Sequence, residues 1–121
     1  MSKKILIIED EDLIVKVLTI RLKALGYGVA SAADGEEGLE AVKRENPDLV
    51  LLDIGLPGID GNTLCELIKA GEGTRHIKVI MLTGKHLVGD MDNSFKAGAD
   101  LYVNKPYDWQ RLLGHIQKFI G

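Results

Sequence analysis

The sequence predicts an α/β fold, a doubly wound parallel sheet of five strands with five helices, and three observations indicate it. Short apolar runs end abruptly in acidic residues, as 5–8 does before Glu9 and 49–52 does before Asp53. These runs are continuously apolar rather than alternating, which is typical of strands buried on both faces. Segments with helical period separate them, and strand and helix alternate five times, as in sheets covered by helices.

The sequence patterns of the five predicted strands are not equally clear. Residues 4–8 and 48–52 are the clearest, and 77–82 is interrupted only by a lysine, while 27–31 and 101–103 are weaker, as edge strands often are. Periodicity does not give the strand order. The flavodoxin-like order 2-1-3-4-5 is the commonest for five strands, and it places the ligand-binding edge at the carboxyl ends of strands one and three.

The first two helices have recognisable ends. Gly26 is expected to stop the first helix. Asp34, followed three residues later by Glu37, has the spacing of a capping box that starts the second helix, and Pro47 closes it.

The remaining three helices have less consistent sequence signals at their ends. The third is expected to end at Gly71, the fourth lies around 88–96 with the weakest pattern, and the fifth starts near Asp108 and contains Gly114. The apolar residues expected on the helices are Leu13, Val17 and Ile20 with Ile14, Leu18, Leu22 and Leu25 beside them, then Leu39 and Val42, then Leu64, Leu67 and Ile68, and finally Leu112, Leu113, Ile116 and Phe119.

The composition narrows the class of protein. With 121 residues, 45% hydrophobic and 27% charged, residues 1–121 are expected to form a single globular domain. Only four apolar residues precede the first acids, so a signal peptide or membrane span is not expected and a cytoplasmic location is. The net charge is −3 with scattered lysines, which does not favour nucleic-acid binding, and the single cysteine leaves no intramolecular disulfide.

Five polar residues stand where predicted strands end, namely Glu9 and Asp10, Asp53, Thr83, and Lys105. In the predicted fold all five lie on the same edge of the sheet. Three carboxylates crowded there repel one another unless a cation joins them. Mg²⁺ fits best, because it prefers carboxylate oxygens and water and commonly bridges to phosphate, and no histidine or cysteine cluster is present to hold zinc.

An aspartate beside Mg²⁺ has the chemistry of a phosphoryl acceptor. Asp53 is expected to form an aspartyl phosphate, with Lys105 holding one phosphoryl oxygen and the Thr83 hydroxyl donating to another. Neither of the glycine-rich nucleotide-binding motifs, G-x-x-x-x-G-K-[ST] and G-x-G-x-x-G, occurs in the chain.

These residues closely resemble the response-regulator receiver family, across essentially the whole chain. The matching segments are 5–11 (ILIIEDE), 52–61 (LDIGLPGIDG), 81–84 (MLTG), 98–100 (GAD) and 105–106 (KP). The resemblance implies that Asp53 is the phosphoacceptor and that Asp10 and Asp53 ligate Mg²⁺ together with the backbone carbonyl of Gly55. It implies that Glu9 acts partly through water.

The resemblance also implies how the signal enters and leaves. Thr83 and Lys105 would contact the phosphoryl group, and Tyr102 would be an aromatic switch on the face formed by the fourth helix, fifth strand and fifth helix. A histidine kinase or histidine phosphotransfer protein would be the donor, and a downstream protein would be the target. We expect no catalysis beyond the chain's own phosphorylation and autodephosphorylation. The chain is expected to lack an output domain, as a stand-alone regulator or the excised receiver of a longer protein.

Two residues depart from the commonest receiver pattern, and two rival functions remain open. Gly84 stands where alanine is frequent, and Gly55 leaves the position two past the acceptor without a side chain. A haloacid-dehalogenase-type phosphatase needs a second acid at that same position to protonate its leaving group. A flavodoxin-like cofactor binder is the other rival, although an acid-rich edge repels a flavin phosphate.

Overall fold

The computed structural model describes residues 3–83, 97–105 and 107–121, in which five strands and four helices follow one another along the chain. The strands are β1 Lys4–Ile8, β2 Gly28–Ala32, β3 Leu49–Asp53, β4 Lys78–Thr83 and β5 Leu101–Asn104. The helices are α1 Asp12–Ala24, α2 Gly35–Glu45, α3 Gly61–Ala70 and α4 Trp109–Ile120. The helix predicted around 88–96 and the departure at Gly84 lie outside the described residues, so the helix predicted as the fifth is α4.

The sheet has the predicted topology. All neighbouring strands are parallel, and the order is β2-β1-β3-β4-β5. The central strand, β3, is buried along its whole length, as its continuous apolar run predicts. The flavodoxin-like arrangement is therefore confirmed, and the carboxyl ends of β1 and β3 lie side by side.

The predicted caps form at the helix ends. The Asp34 side chain accepts a hydrogen bond of 2.8 Å from the Glu37 backbone N–H and starts α2. Gly26 adopts a φ of +94°, just past the end of α1, and Asn46 stops α2 in the left-handed region before Pro47.

The core consists of two apolar clusters, one on each face of the sheet. The first packs α2 and α3 on the sheet, and the second packs α1 and α4. The half-buried Tyr107 and Trp109 pack against the second cluster. None of the helices in the described part of the chain has the length and hydropathy that a bilayer-spanning segment needs.

The buried face of α1 is not the stripe of Leu13, Val17 and Ile20 that the helical period indicates. Leu18 and Leu22 form its buried face, whereas Leu13 is 73% exposed, Val17 41% and Ile20 70%. The helix is apolar on more than one side, and contact with the sheet decides which side is buried.

Candidate functional site

The carboxyl ends of β1 and β3 bring three acids together. Glu9 and Asp10 directly follow β1, and Asp53 is the last residue of β3. One carboxylate oxygen from each of the three lies within 4.8 Å of the others. Glu9 is only 2% exposed and Asp53 8%, whereas Asp10 is exposed to solvent. The predicted cluster of carboxylates is therefore present at the predicted edge.

Lys105 supplies the cation at this cluster. Its Nζ lies 2.5 Å from Glu9 Oε1 and 3.6 Å from Asp53 Oδ1. Its backbone N–H donates to the carbonyl oxygen of Thr83 at 2.6 Å, which fixes the start of the loop after β5 to the end of β4. The ammonium is thereby held between the two buried carboxylates.

The electrostatics of Glu9 and Lys105 follow from this packing. Burial, reinforced by the neighbouring Asp53 carboxylate, raises the pKa of Glu9 to about 7. Burial alone would lower the pKa of Lys105, but the hydrogen bond to Glu9 and the charge of Asp53 outweigh it, and the pKa is raised above its ordinary value. Lys105 is therefore cationic at neutral pH. Glu9, in contrast, changes its protonation near pH 7.

Thr83 ends β4, the strand beside the acceptor strand β3, and Tyr102 lies on β5, one strand further out. Asp53 pairs with Leu82 in the sheet register, so the fully buried Thr83 ends β4 at the same edge as Asp53. Tyr102 lies in β5, pairs with Met81 and is half-buried. It also lines a cavity of about 380 Å³ between β5 and α4. The two predicted switch residues are thus close in the sheet register.

Gly55 leaves the approach to Asp53 open. Its backbone N–H donates to Asp53 Oδ1 at 3.2 Å, and the residue is exposed. Its φ is not positive, and among the described residues a Cβ added to it would have only Asp53 Oδ1 near it, at 4.0 Å. A side chain is therefore sterically possible at this position.

The residues present fit a hard divalent cation. The cluster offers three carboxylate oxygens and neither histidine nor cysteine, which is the donor chemistry that Mg²⁺ prefers. Among the described residues, the Lys105 ammonium is the one cation in contact with these three carboxylates and does not balance their charge, so a divalent cation would offset the remainder.

The direct contact between Glu9 and Lys105 was not predicted from the sequence. The family resemblance implied a water-mediated role for Glu9 and a phosphoryl contact for Lys105. The two residues are 96 positions apart in the chain, and no local pattern connects them. The sequence indicated their proximity only by placing both residues at the same edge of the predicted sheet.

Comparison with known proteins agrees with the fold and identifies the family. Residues 5–117 match the model of the response regulator receiver domain family, and the chain belongs to this family. It is 37% identical over 117 residues to the DNA-binding dual master transcriptional regulator RpaA of Synechocystis sp., a match that covers 97% of this chain and 48% of that protein. The chain thus spans about half the length of the curated relatives it matches.

Two solved structures have closely similar folds. A putative response regulator from Chloroflexus aurantiacus superimposes with a TM-score of 0.92 at 34% identity, covering 98% of both chains. The receiver domain of a sensor histidine kinase from Pseudomonas aeruginosa, with a magnesium ion coordinated in its active-site cleft, has a TM-score of 0.90 at 34% identity, covering 100% of this chain and 99% of that one. The phosphatase and flavin-binding alternatives are not favoured by these matches.

Proposed function

We propose that residues 1–121 form a single receiver domain that acts as the phosphoacceptor switch of a two-component phosphorelay. Response regulators of two-component systems are phosphorylated by histidine kinases, and the donor proposed here is a histidine kinase or a histidine phosphotransfer protein. The proposed reaction is Mg²⁺-dependent transfer to Asp53, followed by conformational signalling to a protein partner in the cytoplasm. The chain would catalyse only its own phosphorylation and autodephosphorylation.

One observation carries the proposal: among the residues that the structure describes, three carboxylates and the Lys105 ammonium converge at the carboxyl edge of the sheet. Asp53 is 8% exposed and lies 3.6 Å from Lys105 Nζ, so a nucleophilic oxygen and a fixed cation are already in place. Proximity and fixed charge are the main contributions a protein makes to phosphoryl transfer.

The same cluster is the proposed metal site. Asp10 and Asp53 would hold Mg²⁺ with the backbone carbonyl of Gly55, and Glu9 would act partly through water. The bound ion would supply positive charge to the oxygens of the transferred group.

The proposed transfer uses this chain's own groups. A lone pair of an Asp53 carboxylate oxygen attacks phosphorus and forms the new P–O bond. The P–N bond to the donor imidazole breaks, and its electron pair stays on the imidazole nitrogen. Lys105 would move from Glu9 toward a phosphoryl oxygen, and the Thr83 hydroxyl would donate to another.

The proposed output follows from the positions of Thr83 and Tyr102. Movement of Thr83 toward the phosphoryl group would give the Tyr102 ring room to turn inward. This rotation would change the proposed output surface, which consists of β5, α4 and the helix predicted around 88–96. The proposed target on that surface is a protein and not a nucleic acid or a membrane. Some relatives are named as DNA-binding regulators, and this chain spans about half of their length.

Labelling with a small phosphodonor tests the acceptor. Incubation with acetyl phosphate and Mg²⁺ is expected to add one phosphoryl group to wild type and none to Asp53→Asn, by intact-protein mass spectrometry. EDTA is expected to abolish the reaction.

Asp60→Asn is the matched control for this experiment. Asp60 lies in the loop between Asp53 and α3. Its side chain accepts a hydrogen bond from the Thr63 N–H at the start of α3, a cap that asparagine makes equally well. It should label like wild type. Undiminished labelling of Asp53→Asn would overturn the assignment of the acceptor.

A further inference from the structure

The loop between β3 and α3, residues 54–60, carries the proposed metal-binding carbonyl of Gly55. Its first residue is tied to β4 by a hydrogen bond of 3.0 Å from the Ile54 N–H to the Leu82 carbonyl. The Gly61 N–H donates back to the Ile54 carbonyl at 3.1 Å and closes the loop. The middle of the loop lies against the start of α2, so α2 limits where the loop can sit.

Gly35 makes the closest part of this contact. It is the buried first residue of α2, and its N–H donates to the Pro57 carbonyl at 3.3 Å. A Cβ at this position would lie 2.2 Å from the Ile59 carbonyl oxygen and 2.7 Å from Ile59 Cβ. Because one of these atoms belongs to the backbone, no side-chain rotation relieves the clash, and even alanine would push the loop away.

A second close approach holds the same loop. Gly58 has a φ of +76°, and a Cβ there would lie 2.8 Å from Glu36 Oε1, so the Glu36 side chain covers Gly58. The first two residues of α2 thus contact the loop at Pro57, Gly58 and Ile59. Glycine is a poor helix former, and its presence at the start of α2 is explained by this close approach.

We infer that Gly35 is a positioning residue for the metal site, because it lets α2 hold the 54–60 loop where the Gly55 carbonyl can meet the carboxylate cluster. The inference rests on the proposed function, since it concerns the affinity of the site proposed there. Gly35 touches neither the cluster nor the acceptor; it acts through Pro57 and Ile59. Groups that orient a ligand from outside the coordination shell typically affect metal affinity by ten-fold or more.

Titration of the folded protein with MgCl₂, followed by amide chemical shifts, tests this. Gly35→Ala is expected to weaken Mg²⁺ binding about ten-fold or more and to shift the amides of residues 54–60 even in the metal-free protein. Ile116→Ala is the control, because Ile116 is fully buried in α4 on the other face of the sheet. It should lower stability while leaving the Mg²⁺ affinity and the loop amides as in wild type.

The outcomes separate the two proposals. Wild-type affinity in folded Gly35→Ala, or an equal loss of affinity in Ile116→Ala, would overturn the inference while the proposed function stands. Failure of wild type to bind Mg²⁺ would overturn the proposed site itself. If Gly35→Ala does not fold, Gly58→Ala disturbs the same loop, since a side chain is strained at its φ of +76° and the added methyl group meets the Glu36 carboxylate. Unchanged Mg²⁺ affinity in folded Gly58→Ala would then overturn the inference.

Discussion

The ionisation of Glu9 depends strongly on its surroundings. Burial and the Asp53 carboxylate raise its pKa from 4.5 to about 7, so the folded protein holds this proton more tightly than the unfolded chain does. Between these two values the folded state binds more protons at Glu9 than the unfolded chain does, so the contribution of this group to the stability of the metal-free protein falls as pH rises.

Glu9→Gln is expected to remove this pH dependence. The wild type in EDTA should lose on the order of 3 kcal/mol of unfolding free energy between pH 4.5 and 7 from this group, and the variant should not. Urea denaturation at a series of pH values measures the difference. Glu40→Gln removes an exposed glutamate of α2 and should follow wild type; the same slope in Glu9→Gln would contradict the role of Glu9.

We expect Gly55 to leave water an open approach to the proposed aspartyl phosphate. Its φ is not positive, and in the described part of the chain an added Cβ would have only Asp53 Oδ1 near it, at 4.0 Å, so a side chain can be introduced without backbone strain. Gly55→Met is therefore expected to slow autodephosphorylation several-fold, a barrier change on the order of 1 kcal/mol. Decay of the phosphorylated protein measures it.

Gly73→Met is the control for that experiment, because Gly73 lies in an exposed loop with nothing within 4 Å of its added Cβ. The Mg²⁺ affinity of both variants should be measured beside the decay rate. Unchanged or faster decay in Gly55→Met, with normal Mg²⁺ binding, would refute the idea that Gly55 leaves the water path open.

Among the elements, β4 and β5 form the proposed path from the site to the surface. Thr83 ends β4 beside the acceptor, and its carbonyl accepts the hydrogen bond from Lys105 N–H, so both strands reach the site. Thr83→Ala keeps this backbone bond and removes the hydroxyl together with the γ-methyl group. The variant should still be phosphorylated but show much weaker chemical-shift changes around Tyr102 than wild type. Equal changes in the two proteins would show that Thr83 is not the relay.

Most elements were predictable because their signals are local. Continuous apolar runs marked the strands to within one residue, and the Asp34–Glu37 spacing marked the start of α2. The topology then gathers the carboxyl ends of the strands at one edge, which is why Glu9, Asp10 and Asp53 were predicted to meet.

The remaining features depend on contacts between distant segments. Leu13 and Ile20 are exposed although apolar, because α1 has more apolar residues than one buried face can hold. The role of Gly35 depends on where the Ile59 backbone lies, and the Glu9–Lys105 pair depends on the loop after β5. No periodic pattern in the sequence predicts any of these contacts.

At the scale of the whole molecule, the acids and the lysine of the site come from three separate parts of the chain. The unfolded chain does not hold these groups together, so Mg²⁺ should bind the folded state alone and raise the melting temperature. The stabilisation is about 2.7 kcal/mol when free Mg²⁺ is about 100 times its Kd. Calorimetry of wild type and Asp10→Asn, with and without the ion, measures it; an equal rise in both would place the binding elsewhere.

The central position of β3 has a consequence for kinetics. Before the site exists, β3 must pair with β1, which closes the chain from Ile5 to Leu49, and β5 must then join β4. Such distant pairings form late and slowly compared with local turns and helices. The transition state for folding should therefore lack a complete set of metal ligands. Mg²⁺ is expected to slow unfolding in stopped-flow experiments and to leave the refolding rate unchanged, so that the ion stabilises the finished fold without guiding its assembly.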